Sequence, residues 1–235
     1  MRTKIFLLAF LSFVFGSCAP SYAPNLTNAP LLYQKGDFMA GLHLSNSLEL
    51  QGAFGLSDHV GVMSNIVALS LTGNRYYYGE AGLGAYTVLN DKFHLELFAG
   101  GGLGYGKASG KQLFSQDRIS EEGKYTKFFI QPDIGLHYKI FELALAMRVG
   151  YVAYNEFRRN DTVISPEPFA WLLEPALSLR FGFGGNGFFE NKKLAIQLGF
   201  SGTLSGDANF DNGSVIAGLG LVYRNRKYNT GFKTK

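Results

Sequence analysis

Phe93-His94-Leu95-Glu96-Leu97-Phe98-Ala99-Gly100-Gly101-Gly102-Leu103-Gly104-Tyr105 sets the period of this chain. Its odd positions are mostly apolar, while its even positions carry His94, Glu96 and a row of glycines. Successive side chains of a strand point to opposite faces, so this segment has one greasy face and one polar or very small one. Phe141-Glu142-Leu143-Ala144-Leu145-Ala146-Met147-Arg148-Val149-Gly150-Tyr151 repeats the pattern. One such strand fits any half-buried sheet. A series of them spanning residues 36–225 predicts a different all-β fold, a closed antiparallel up-and-down transmembrane β-barrel, apolar outside and polar inside.

The N-terminus predicts export. Arg2 and Lys4 form a positive region, and Ile5 to Val14 an apolar core too short to cross a bilayer as a helix. Phe15-Gly16-Ser17-Cys18 has the small residues of a lipoprotein cleavage box, with Phe15 where Leu is usual. Residues 1–17 are therefore expected to be a signal peptide, and Cys18 the lipidation site, carrying a palmitate-type acyl chain. Cys18 is the only cysteine, which excludes an internal disulfide. Ala19-Pro20-Ser21-Tyr22 follows without an acidic cluster, so the lipid anchor is expected in the periplasmic leaflet of the bacterial outer membrane.

Composition agrees. Charged residues make up 17% of the chain, below the roughly 25% of soluble domains. Thirty glycines and 15% aromatic residues suit a curved sheet ringed by aromatic girdles. The net charge of +4 is scattered, apart from the tail Arg224, Arg226, Lys227, Lys233 and Lys235, which gives no reason to expect nucleic acid.

Along the chain, residues 18–35, with Pro20, Pro24 and Pro30, read as an extended lipidated linker. Ten strands are predicted at about 36–45, 47–56, 60–70, 76–88, 93–106, 124–138, 141–154, 169–183, 193–204 and 214–225, with eight as the alternative count. Tight turns alternate with longer loops at 107–123, 155–168 and 205–213. This is the sidedness pattern of membrane barrels, short turns periplasmic and longer loops outside. An even strand count then returns residues 226–235 to the periplasm as a basic tail. Pro132 and Pro175 fall inside strands of an edgeless barrel, predicting a bulge or a locally broken ladder at each.

Asp58-His59-Val60-Gly61-Val62-Met63 and Trp171-Leu172-Leu173-Glu174-Pro175-Ala176-Leu177-Ser178-Leu179-Arg180-Phe181-Gly182, together with the lipobox-like start, resemble uncharacterised outer-membrane β-barrel lipoproteins of Gram-negative bacteria. The resemblance implies location and fold, and brings neither an activity nor catalytic residues.

Inward parity falls on Asp37, Glu49, Glu80, Glu96, Asp133, Glu142 and Glu174, on Arg148, Arg180 and Arg224, and on His43, His94 and His137. Lone buried charges are costly, so these are expected to pair. The predicted lumen charge network is Glu96, Asp133, Glu142, Arg148, Glu174 and Arg180, with Arg148 and Arg180 neutralising Glu142 and Glu174. A barrel this narrow is largely filled by side chains, whereas porins need about sixteen strands. No Gly-x-Ser-x-Gly elbow occurs, the histidines lack tight metal-ligand spacing, and the glycine string has the period of a strand. The reading is a lipid-anchored outer-membrane barrel, not an enzyme, with a structural, envelope-integrity or surface-binding role. It has no cofactor beyond the lipid on Cys18. Its expected partners are outer-membrane lipids, the barrel-assembly machinery and an extracellular ligand at loops 107–123 and 155–168. The alternatives are a narrow small-solute channel or a membrane-lipid hydrolase.

Overall fold

Alternation of side chains around a closed ladder organises residues 38–225. The computed structural model describes residues 22–71, 74–90, 92–111, 118–138, 140–182, 191–206 and 214–225. Its strands are β1 (Phe38–Leu44), β2 (Leu48–Gly55), β3 (Val60–Leu71), β4 (Asn74–Leu89), β5 (Phe93–Lys111), β6 (Arg118–His137), β7 (Phe141–Arg159), the two-residue β8 (Thr162–Val163), β9 (Phe169–Gly182), β10 (Lys192–Gly206) and β11 (Ser214–Asn225). Every wall strand pairs antiparallel with its neighbour in sequence, β7 passing over β8 to β9. The β1–β11 ladder, from Phe38↔Asn225 to Leu44↔Leu219, closes the ring. Ten strands form the wall, and β8 folds back only on the end of β7.

The two faces separate as the parity demands. Along β7 the buried positions Glu142, Ala144, Ala146 and Arg148 alternate with the outward Leu145, Met147 and Val149. Leu103 and Leu145 remain 69% and 49% exposed, which in water would be a large penalty and against acyl chains is none. Aromatic side chains pair on this outer face at two heights. Phe141 packs on Phe181 and Phe38 on Tyr223 near one end, Tyr77 on Tyr105 and Tyr151 on Trp171 towards the other.

The ends differ. The near end holds the turn at 56–59, the connections from β4 to β5 and from β6 to β7, the chain's entry into β1 and its exit from β11. At the far end β5, β6 and β7, of 19, 20 and 19 residues, run well past the 9–11 needed to cross a bilayer. Much of the loop expected at 107–123 is thus hairpin, and residues 155–159 of the second expected loop continue β7. Apolar alternation stops there because the extension stands in water. Pairing continues through Lys107–Glu122 at 2.7 Å and Arg159–Glu121 at 2.7 Å.

Both prolines interrupt a ladder without shifting it. The β6–β7 register runs to Ile130↔Val149 and resumes at Asp133↔Ala146, passing over Gln131 and Pro132. Pro175 stays opposite Met147 on β7, while the β9–β10 ladder breaks between Ala176↔Gly199 and Leu173↔Gly202.

Candidate functional site

The lumen is occupied by the chain's own beginning. Tyr22 to Leu32, within the stretch expected to be a linker, lie inside the barrel, with Leu26, Asn28, Ala29, Leu31 and Leu32 at most 1% exposed. This plug has no regular structure and, between Tyr22 and Gln34, no charged side chain. A buried backbone without a ladder must find other partners, and here wall side chains supply them.

Carboxylates accept from its amides, and glutamine and arginine side chains donate to its carbonyls. Glu49 accepts the Leu26 N–H at 2.9 Å, and the Glu96 carboxylate accepts those of Leu31 and Leu32 at 2.9 and 2.6 Å. Gln51 donates to the Leu26 carbonyl at 3.2 Å, Gln131 to Asn28 at 2.7 Å, and Arg180 to Ala29. Arg224 donates to Leu31 at 2.8 Å and to Pro30. Leu31 sits at φ +54°, in the left-handed region that costs a branched residue about 1–2 kcal/mol, and Glu96 and Arg224 grip it on both sides.

The wall makes room with glycine. A Cβ on Gly61 would meet Leu32 Cδ1 at 2.2 Å, one on Gly135 would meet Leu31 Cδ2 at 2.3 Å, and one on Gly218 would meet Leu26 Cδ1 at 2.4 Å. Inward glycines on β3, β6 and β11 therefore form the sockets for the plug's three leucines. At Gly36, φ +78°, the chain turns back at the near end, its N–H bonded to the Gly55 carbonyl at 2.8 Å, and enters β1.

Ion pairs stack along the plug. Near the Gly36 turn, Glu142 meets Arg180 at 3.2 Å, Lys193 at 2.8 Å, His137 at 2.8 Å and Arg224 at 3.4 Å. Midway, Arg148 reaches Glu80 at 3.0 Å and donates to Gln131 at 2.8 Å. Towards the far end Lys127 contacts Glu174 at 2.7 Å, and the Tyr22 hydroxyl bridges both, donating to Glu174 at 2.8 Å and accepting from Lys127 at 2.7 Å. Tyr22 stands there among Tyr78, Tyr125 and Tyr154.

Of the expected network, Arg180 and Glu142 are cross-strand partners and touch. Arg148 and Glu174 are also directly opposed, yet each turns to a different residue, Arg148 to Glu80 and Glu174 to Lys127. The Glu174 carboxylate pairs over β7 with Lys127 on β6, and the Arg148 guanidinium pairs three strands round the wall with Glu80 on β4. Glu96 and Asp133 are cross-strand neighbours, Glu96 holding the plug and Asp133 accepting from Gln131 at 2.8 Å. Lys127 went unmarked in the sequence although its parity with Asp133 on one strand already placed it inward. Tyr22 carried no signal at all.

His94 Nδ1 lies 3.1 Å from the Leu32 carbonyl, and both ring nitrogens of buried His43 have no hydrogen-bond partner. Among the described residues no group of three His, Cys, Asp or Glu could hold a metal ion. Cys18 and residues 226–235 lie outside the described residues.

No family model and no curated protein matches the chain. Among solved structures it is similar to the translocator domain of autotransporter NalP from Neisseria meningitidis, at 9% identity over 95% of both chains with a TM-score of 0.43. It is similar to the β domain of the Bordetella autotransporter BrkA, at 10% identity over 82% of this chain and 99% of that one, TM-score 0.44. An outer membrane channel from Pseudomonas putida F1 follows at 10% identity over 86% and 100%, TM-score 0.38. At such identities and scores these likenesses carry no weight of their own. The barrel stands on its closed ladder and its apolar outer face.

Proposed function

We propose that this chain is a lipid-anchored outer-membrane barrel, sealed by its own N-terminal segment, that serves as a structural or surface-binding component of the envelope rather than as a pore or an enzyme. The observation that carries this reading is the burial of Tyr22–Leu32 in the lumen, with backbone groups held by Glu49, Glu96, Gln131, Arg180 and Arg224. A solute path needs a continuous file of water. Here the axis is taken by peptide and the flanking charges are paired with each other.

In this reading the signal peptide ends at residue 17, Cys18 carries the lipid, and residues 226–235 lie in the periplasm. The barrel-assembly machinery inserts the wall. The far-end hairpins of β5, β6 and β7, with Lys124 and Glu156 paired at 3.4 Å and Arg158 and Glu156 at 2.9 Å, present a mixed-charge surface to a ligand.

The test is conductance. The mature chain reconstituted in a planar bilayer should be electrically silent. Regular conductance steps would replace this reading with that of a narrow channel. The anchor is tested separately: Cys18→Ser should abolish incorporation of labelled fatty acid while the barrel still folds.

A further inference from the structure

The sequence alone leads one to expect the lipid anchor in the periplasmic leaflet, beside the short turns. The plug runs the other way. Its C-terminal end, Leu32, lies at the near end by the Gly36 turn, where Glu96 and His94 hold it. Its N-terminal end, Tyr22, packs on Tyr78, Tyr125 and Tyr154, which lie towards the far end of β4, β6 and β7. Tyr22 thus stands close to the height of the outer-face aromatics Tyr77, Tyr105, Tyr151 and Trp171.

Chain length decides which way the anchor can go. Three residues separate Tyr22 from Cys18, and four extended Cα-to-Cα steps span at most about 14 Å. Along β7, Tyr154 is thirteen residues beyond Phe141, roughly 30 Å of barrel height at the usual rise and tilt. A tether that short cannot return past Leu26, Asn28 and Leu32, which already fill that path at 0–1% exposure. The wall gives no sideways exit, because its ring of paired strands is closed.

We infer that the mature N-terminus leaves the barrel at its far end, so that the lipid on Cys18 enters the leaflet beside the long hairpins, the external one, with the chain threaded through its own barrel. This rests on the proposed lipidation of Cys18 for the lipid itself, and on the path of residues 22–33 for the side on which it emerges. The lipid surface it meets is therefore the outer leaflet of its own membrane. The anchor, the plug and the long hairpins of β5–β7 then share one face of the envelope.

Single cysteines decide the matter, since Cys18 is the only native one and acylation blocks its thiol. Three variants of the full chain are treated in intact cells with a membrane-impermeant maleimide: Ser21→Cys beside the anchor, Glu167→Cys in the exposed far-end loop, and His59→Cys in the exposed near-end turn. Expected is labelling of Ser21→Cys together with Glu167→Cys, at least tenfold above His59→Cys, which labels only after the outer membrane is opened. Labelling of Ser21→Cys only alongside His59→Cys, or under neither condition, overturns the inference. Fatty-acid labelling of the same variants is read in parallel. If no variant incorporates fatty acid, Cys18 is itself a free thiol, and its labelling from outside in every variant would sink the lipoprotein reading and leave the threaded path standing.

Discussion

Arg148 on β7 reaches across the lumen to Glu80 on β4, Nη1 to Oε1 at 3.0 Å, although the residue directly opposite it on β9 is Glu174. The choice follows from the plug. Lys127 and the Tyr22 hydroxyl already hold Glu174, and Arg148 turns to Glu80, three strands round the wall, whose carboxylate also accepts from Asn65 and Tyr78. Both partners are buried, with side chains at 0% and 1% exposure. Removing one leaves an uncompensated charge, at a cost of about 3–5 kcal/mol.

Arg148→Ala should therefore lower the thermal unfolding temperature in detergent clearly. Adding Glu80→Gln should recover part of the loss, and adding Glu174→Gln should deepen it, because that change strands Lys127. Recovery by Glu174→Gln instead would mean that the cross-strand pair is the true one.

The wall was legible in the sequence because lipid and lumen impose opposite chemistry on alternate residues, as at Leu145 against Ala144. The same parity brought Glu142 and Arg180 to one ladder position. It could not reveal Arg148 with Glu80, since contact across a lumen depends on barrel closure rather than on strand register. The plug escaped for a different reason. Tyr22-Ala23-Pro24-Asn25-Leu26-Thr27-Asn28-Ala29-Pro30-Leu31-Leu32 has no period and two prolines, as a linker does. The information that it is buried resides in Gly61, Gly135 and Gly218, far along the chain.

Those glycines give the second prediction. Gly61→Val should overpack against Leu32 and cost about 1–3 kcal/mol, loosening the foot of the plug. Gly79→Ala is the control: it faces outward with open space around its Cβ position, and should stay within about 0.5 kcal/mol. Thermal melts of the two variants check this; equal losses would deny the glycine sockets a role.

Charge on the outer face should be costly in the way a bilayer dictates. Leu145→Arg should destabilise the barrel by about 2–4 kcal/mol in lipid. Folding titrations in vesicles measure it. A neutral result would mean that this face of β7 does not meet acyl chains.

Hydrogen–deuterium exchange over residues 22–33 of the folded barrel tests the central claim most directly, that the chain's own beginning fills the lumen. The amides of Leu26, Leu31 and Leu32 donate to buried Glu49 and Glu96, so they should exchange as slowly as those of β6 and β7, at least a thousandfold slower than a free peptide. Glu96→Gln should release Leu31 and Leu32 first, while Leu26 stays protected. Exchange of all three amides within seconds in the wild type, at the rate of an open linker, would contradict the account.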